Sequence, residues 1–261
     1  MGTPAPRTVD AWLVCGGRYH DIDHARLELL RLFAEHPHIR VRVREDYRDL
    51  EGLEQADFLV TYTVDMAPDD AGAERLRNFV AGGKRWLALH GTNSLLQLEG
   101  KRWVAPRTAQ VFMETLGSQF LAHPPIKPYR VEVTDPTHPL VQGIEPFMAD
   151  DELYLSALHG PLQVLLHTEW SGTSRLFTDG DWTDNAPRPV MYLKQVEAGE
   201  VLYFTLGHTR GRHDMRPLMD SYPQEERGSW KVPAFHRLLR RSLRWAAGLP
   251  LEAPAEAPVE A

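Results

Sequence analysis

The chain contains the apolar run Arg85-Trp86-Leu87-Ala88-Leu89, which leads directly into His90-Gly91-Thr92. A short continuous apolar run that stops at a polar residue and a glycine is typical of a strand buried on both faces of a parallel sheet. The same pattern appears near the start of the chain as Ala11-Trp12-Leu13-Val14-Cys15, closed by Gly16-Gly17. We therefore predict a sheet whose buried strands end in glycine-bearing loops.

Helical patterns separate the predicted strands of the first half. Asp21 or Asp23 can cap a helix whose apolar residues recur at three- and four-residue spacing as far as Phe33. A second helix is predicted over 69–80, an edge strand over 40–43 and a buried strand over 56–62. Strands that alternate with helices indicate a parallel sheet covered on both faces, and such sheets bind ligands beyond the C-terminal ends of their strands.

The second half of the chain is richer in strands, which are predicted over 129–134, 163–167, 190–193 and 200–206. A last helix is predicted over 232–246, and we expect its arginines to be solvated: Arg237, Arg240, Arg241 and Arg244. Residues 9–249 are predicted to form one domain. The Pro-, Ala- and Glu-rich composition of 250–261 predicts a disordered tail, because it cannot bury enough apolar area to offset its chain entropy.

Composition excludes several classes of protein. The chain has 29 basic and 36 acidic side chains, a net charge of -7, and no long basic run, so we do not expect a nucleic acid as partner. No stretch approaches the ~18 apolar residues of a membrane span, and the first residues do not resemble a secretory signal. The single Cys15 excludes an internal disulfide and a multi-cysteine zinc site. These features predict a cytoplasmic globular protein without a membrane partner.

Histidines follow three of the predicted strands at the point where each strand ends. His20 follows the first strand, His90 the central one and His208 the last one. Because the C-terminal ends of parallel strands meet at one edge of a sheet, we expect these side chains to lie together. A neutral imidazole binds metals through one ring nitrogen and needs a carboxylate or carbonyl to fix its tautomer. The carboxylate candidates are Asp21, Asp150, Asp151 and Glu152.

The residue expected of a nucleophilic enzyme is missing. At the turn after the central strand, where a Cys or Ser would stand, the sequence has His90. Cys15 lies at the end of the first strand and fits a small buried hydrophobe, so a thiol nucleophile would have to be a relocated one. The Gly16-Gly17 loop falls short of a phosphate-binding fingerprint, so no nucleotide cofactor is expected.

Several different short motifs follow one another along the chain. They are Cys15-Gly16-Gly17 with His20-Asp21, Leu87-Ala88-Leu89-His90-Gly91, Gly117-Ser118-Gln119-Phe120 with His123-Pro124, Asp151-Glu152-Leu153-Tyr154, and Leu206-Gly207-His208. Together they resemble the trehalose-utilisation (ThuA-like) family over residues 10–248. The resemblance implies an α/β, flavodoxin-like fold similar to the class I glutamine amidotransferases: a mostly parallel twisted sheet, helices on both faces and extra antiparallel strands.

The resemblance also implies a carbohydrate-utilisation enzyme that acts on a sugar or keto-sugar through a cleft of histidines and carboxylates. Combined with the loop histidines, it gives three overlapping sets of candidate residues. The catalytic set is His90, Glu152, Asp151 and His208, the substrate-binding set is Gly17, His20, Gly91, His123 and Tyr154, and the metal-ligand set is His20, His90 and His208. The metal would be one divalent ion of zinc, manganese, iron or nickel, acting as a Lewis acid.

Alternatives remain open at the level of sequence. The missing nucleophile also fits a non-catalytic module that binds a sugar or another small ligand, and each histidine alone could be a hydrogen-bonded structural residue. Trp103, Trp170 and Trp182 lie in polar surroundings and are candidates to stack on a sugar, and the polar segment 171–185 is a candidate loop over the cleft. A homo-oligomer is compatible with this architecture.

Overall fold

The computed structural model describes residues 8–251, which contain fifteen strands and four α-helices. The strands are β1 Val9–Gly17, β2 Ile39–Arg44, β3 Phe58–Val64, β4 Arg85–Leu89, β5 Gln97–Glu99, β6 Arg102–Val104, β7 Ser118–Ala122, β8 Lys127–Val133, β9 Phe147–Asp151, β10 Leu155–Leu158, β11 Gln163–Thr168, β12 Gly172–Thr173, β13 Asp181–Trp182, β14 Arg188–Val196 and β15 Gly199–Phe204. The helices are α1 Ile22–Ala34, α2 Asp70–Ala81, α3 Gln110–Leu116 and α4 Pro233–Ala246.

Nine strands form one sheet, in the order β2-β1-β3-β4-β15-β14-β11-β8-β9. The five strands from β2 to β15 pair in parallel. The pairings from β15 onward to β9 are antiparallel. The predicted α/β fold is therefore confirmed: a parallel sheet is extended at one side by antiparallel strands from the second half of the chain.

Helices cover both faces of the inner parallel strands, and this explains why β1, β3 and β4 are largely apolar and buried. Alternate residues of a strand point to opposite faces of the sheet. In β1, Leu13 and Cys15 belong to the core that includes α1 and α4, whereas Trp12 and Val14 belong to the core that includes α2 and α3. None of the helices within residues 8–251 is both long and apolar enough to cross a membrane.

The structure differs from the sequence predictions in the second half. The predictions missed β7, β9 and β10, because strands of four or five residues carry too little periodicity to be recognised. Arg241 is buried rather than solvated, and it donates hydrogen bonds to the carbonyl oxygens of Leu140 and Gln142. One arginine of α4 therefore joins this helix to the turn that contains Leu140 and Gln142. The predicted tail over 250–261 lies outside the described residues from position 252 onward.

The reactivity of Cys15 gives a first test of the fold. Its side chain is fully buried, and burial raises the pKa of the thiol to about 12 against the opposing effect of Arg26. We expect the native protein to resist a thiol reagent such as dithionitrobenzoate at mildly alkaline pH, because only the thiolate reacts. The same protein in urea serves as the control and should react fully. Stoichiometric modification of the native state would instead revive the relocated-thiol alternative.

Candidate metal centre

The loops that follow β1, β4 and β15 lie at one edge of the sheet, because these three strands run in the same direction. They carry His20, His90 and His208, as the sequence predicts. Four antiparallel pairings lie between β15 and β9, an even number, so β9 also points to this edge. Glu152 follows β9 directly, and all four side chains are buried.

The four side chains converge on one point. His20 Nε2 lies 2.9 Å from His90 Nε2 and 3.1 Å from His208 Nδ1. Glu152 Oε2 lies 3.6 Å from both His20 Nε2 and His90 Nε2, and Glu152 Oε1 lies 3.2 Å from His208 Nδ1. One ligand atom from each residue can be chosen so that all four are within 4.8 Å of one another. We call this group the His3Glu cluster.

Hydrogen bonds behind the cluster fix two of its tautomers. His90 Nδ1 is 2.8 Å from the carbonyl oxygen of Thr205, which can only accept, so Nδ1 carries the proton. His208 Nε2 is 2.8 Å from Glu226 Oε2, and this contact helps to hold the pKa of Glu226 below its usual value although burial opposes it. The nitrogens that face the cluster, His90 Nε2 and His208 Nδ1, therefore present lone pairs when the rings are neutral.

Three imidazoles then share too few protons. A neutral His20 ring has at most one hydrogen on Nε2 and can direct it at only one of its two neighbours, so at least one of the two nitrogen contacts lacks a hydrogen bond. Burial opposes an extra proton, because it lowers the pKa of His20 to about 4 and that of His90 well below its usual value. A cation removes this conflict. Nitrogen ligands about 2.0–2.1 Å from one zinc ion are about 2.8–3.4 Å apart at octahedral to tetrahedral angles, which matches the two spacings measured from His20 Nε2.

Glu152 supplies negative charge to the cluster. Burial alone raises the pKa of this carboxyl, but the neighbouring imidazoles of His208 and His123 outweigh burial and hold it well below the usual range. Arg210 donates to Glu152 Oε1 at 3.2 Å and to Glu226 Oε2 at 3.0 Å. One buried guanidinium therefore joins the carboxylate in the cluster to the carboxylate that orients His208. The donor set of three imidazoles and one carboxylate suits zinc and other first-row divalent ions.

His90 stands at a strained turn. Its φ of +45° lies in the left-handed region, which costs a non-glycine residue about 1–3 kcal/mol. The Tyr203 hydroxyl donates to the His90 carbonyl oxygen and helps to hold the turn. Gly91 packs against Val64, where a Cβ would lie 2.6 Å from Cγ2. Gly91 thus has a packing role in the structure, and so does Gly17, whose Cβ would lie 2.0 Å from the Val64 carbonyl oxygen; their contact with substrate stays a prediction.

Asp151 lies beside the cluster with its carboxylate turned to the backbone. The two oxygens accept hydrogen bonds from the N–H groups of Gly207, His208 and Ser229 at 3.0–3.2 Å. Burial raises the pKa of this carboxyl above its usual value. In the structure Asp151 ties the loop after β15 and the turn at Ser229 to the end of β9, and its catalytic role stays a prediction.

Two of the four carboxylates proposed from the sequence to fix the histidine tautomers, Asp21 and Asp150, do not make those contacts. Asp21 instead caps α1, where its side chain accepts from the His24 N–H, and it pairs with Arg227 at 3.1 Å. Asp150 is exposed. The tautomers are set by the Thr205 carbonyl and Glu226, as described above.

A cavity of about 460 Å³ opens above the cluster. Its floor brings together His20, Glu152, His123 and Tyr154, three of which are predicted substrate-binding residues. The Tyr154 hydroxyl lies 3.3 Å from His90 Nε2, and His123 Nε2 lies 3.7 Å from Glu152 Oε1. Any molecule in this cavity would therefore meet the cluster and both of these side chains at once.

The cavity wall includes part of the polar segment 171–185. Leu176 and Phe177 of this segment line the cavity, as does Trp103 from the hairpin β5–β6. Trp170 and Trp182, the other two candidates for stacking, lie outside the cavity lining among the described residues. Of the three tryptophans singled out from the sequence, Trp103 is thus the one that can contact a ligand in this cavity.

Sequence reasoning missed Thr205, Arg210 and Glu226. They belong to the region 205–227 after β15, which is polar and mostly irregular and has no hydrophobic period to read. The one available signal is proximity, since Arg210 follows His208 by two residues. Glu226 reaches the cluster only because the loop returns, with its N–H and carbonyl paired to those of Arg210.

Asp151→Asn tests the structural role of that carboxylate. The amide replaces one acceptor oxygen with a donor that faces backbone N–H groups, so we expect a loss of about 1–3 kcal/mol in the free energy of unfolding. Urea denaturation followed by circular dichroism measures the loss. The neighbouring exposed residue supplies a matched control, because Asp150→Asn should change stability by no more than about 0.5 kcal/mol. Equal effects of the two substitutions would contradict the assignment.

The chain is similar to several solved structures. It resembles a ThuA-like protein from Parabacteroides merdae at 15% identity with a TM-score of 0.61, over 96% of this chain and 94% of that one. It resembles another from Bacteroides uniformis at 16% identity with a TM-score of 0.64, over 94% and 95%. A Salmonella typhimurium LT2 protein described as cytoplasmic matches at 14% identity with a TM-score of 0.51, over 92% and 98%. At such identities these likenesses show the fold alone.

The comparison of sequences gives the family. No curated protein matches the chain. The family model for ThuA, described as trehalose utilisation, matches residues 12–220, which is well over half of the 261 residues. The fold, the order of the motifs and this match agree, and the chain belongs to the trehalose-utilisation (ThuA) family.

Proposed function

We propose that this protein is a metal-dependent enzyme of carbohydrate utilisation that acts on a sugar or keto-sugar in the cavity above the His3Glu cluster. The observation that carries the proposal is the buried convergence of three imidazoles and one carboxylate, with nitrogen atoms 2.9 and 3.1 Å apart. Family membership supports a carbohydrate as the substrate. A divalent cation held by the cluster supplies Lewis-acid stabilisation of a carbonyl or hydroxyl oxygen.

The residues around the cluster provide for proton transfer. Burial raises the pKa of Tyr154 well above its usual value, so its hydroxyl stays protonated at neutral pH and can donate to an oxygen of the sugar. His123 Nδ1 donates to the Pro124 carbonyl oxygen at 2.7 Å, which leaves Nε2 of the neutral ring as an acceptor on the side of Glu152. His123 can therefore take a proton from a carbon or hydroxyl beside the carbonyl, as isomerisation or elimination requires.

Metal content is the direct test of the cluster. Untagged protein purified without added metal should contain about one equivalent of zinc, manganese, iron or nickel by mass spectrometry, because the four donors form one site. We expect His90→Ala and Glu152→Gln to lose most of this metal, since each removes a ligand. His213→Ala is the matched control. His213 is exposed and its Nδ1 faces the Asp220 carbonyl oxygen instead of the cluster, so this variant should retain the metal. A wild-type protein that stays metal-free after incubation with all four ions would refute the proposed centre.

A non-catalytic sugar-binding module is the second candidate, and the missing nucleophile favours it. Turnover separates the two. The metal-loaded protein, incubated with a panel of aldoses, ketoses and oxidised disaccharides, should convert at least one of them, as followed by NMR. Tyr154→Phe should lower this turnover about 10²–10⁴-fold and leave metal content unchanged, because it removes only the proton donor. Saturable binding of panel members without conversion would identify a binding module instead.

A further inference from the structure

The cavity has an aromatic side that begins at the reaction centre. Tyr154, whose hydroxyl reaches His90, stands edge to face with Phe120 at 4.6 Å between ring centroids, and Phe120 stands 5.7 Å from Phe177. Phe177 pairs with Trp103 through a main-chain β-bridge, and the Trp103 ring lies 5.5 Å from that of Tyr19. All five rings line the cavity. We call these five rings the aromatic strip.

Two loop segments build the strip and are joined by main-chain hydrogen bonds. The Trp103 N–H donates to the Leu176 carbonyl oxygen at 2.8 Å, and the Thr178 N–H donates to the Trp103 carbonyl oxygen at 2.9 Å. Leu176 lines the cavity and is 60% exposed. These hydrogen bonds fix the outer part of the strip, where Trp103, Phe177 and the neighbouring Leu176 offer apolar area that a ligand can cover.

Apolar side chains predominate above the floor. The uncharged polar groups among the described residues of the upper cavity are the side chains of Ser94 and Gln224, the hydroxyls of Tyr19 and Tyr222, and the indole N–H of Trp103. Arg210 and Glu226 also line the cavity, but they are bonded to each other and to the cluster. A free disaccharide carries a hydroxyl on nearly every carbon, and burying these groups without partners would be costly. The upper cavity thus suits an apolar group better than a second sugar ring.

We propose that the ligand is amphipathic: one sugar or keto-sugar ring lies on the floor, and a flat aryl group joined to it lies on the aromatic strip. The inference rests on the proposed function for its polar half and adds the substrate class, an aryl glycoside rather than a free disaccharide. Offset and edge-to-face packing against Phe177 and Trp103 would hold the aryl ring. Covering exposed Leu176 adds to the apolar area removed from water.

Two matched probe pairs test the two halves separately. Benzohydroxamate and acetohydroxamate share one metal-chelating head and differ in their apolar group, so on the metal-loaded protein we expect benzohydroxamate to bind about tenfold more tightly by calorimetry. Phenyl and methyl glucoside, measured by saturation-transfer NMR on protein stripped with EDTA, should show the same preference without metal. Trp103→Ala and the exposed-site variant Leu176→Ser should each remove most of the preference, and Trp170→Ala, outside the cavity lining, should not.

The outcomes distinguish this inference from the proposed function. Preference in both pairs that Trp103→Ala abolishes supports the amphipathic ligand. Preference in the glucoside pair alone, with neither hydroxamate bound, supports the aromatic strip and counts against the metal centre. Equal behaviour of the two members of the glucoside pair, whether both bind or neither does, overturns the proposal. Trp103→Phe guards against misfolding, because it should keep part of the preference if the ring itself makes the contact.

Discussion

Three buried imidazoles are confined around one point, and the loops at this edge of the sheet are arranged to hold them there. Their nitrogen atoms lie 2.9 and 3.1 Å apart in a buried site, where burial opposes the proton that would separate their lone pairs. Such a group does not form by hydrophobic collapse, since each ring would be better solvated in water. The surrounding chain has to hold it in place, and much of the loop architecture at this edge of the sheet is explained by that requirement.

Three sets of hydrogen bonds hold the cluster, and they act on the backbone, on the far side of a ring or on a carboxylate. Asp151 gathers the N–H groups of the loop that carries His208, the Thr205 carbonyl orients His90, and Arg210 joins Glu152 to Glu226. The left-handed turn at His90 stores strain that the neighbouring packing holds in place. Partners of this kind commonly set the orientation and basicity of metal-binding imidazoles, so they are as much a part of the site as the four donors.

The predictable and the unpredictable parts of the site differ in the range of the interactions that set them. His20, His90 and His208 follow parallel strands, and the rule that such strands end at one edge brings them together without further information. Glu152 was one of four candidate carboxylates, and its place depends on four antiparallel pairings that no local pattern encodes. Glu226 was missed because an irregular loop returns it to the cluster. The sequence did not distinguish the positions of Asp151 and Glu152, because an adjacent pair of acids gives no sign of which one faces the backbone.

The turn after β4 shows how one fold exchanges one chemistry for another. In an amidotransferase-like fold this turn would present a nucleophile, which needs an exposed atom with a lowered pKa. Here it presents an imidazole, which uses one nitrogen to bind the Thr205 carbonyl and directs the other to the cluster. The change at position 90 therefore makes sense only with the whole donor set, and the set favours coordination over covalent catalysis.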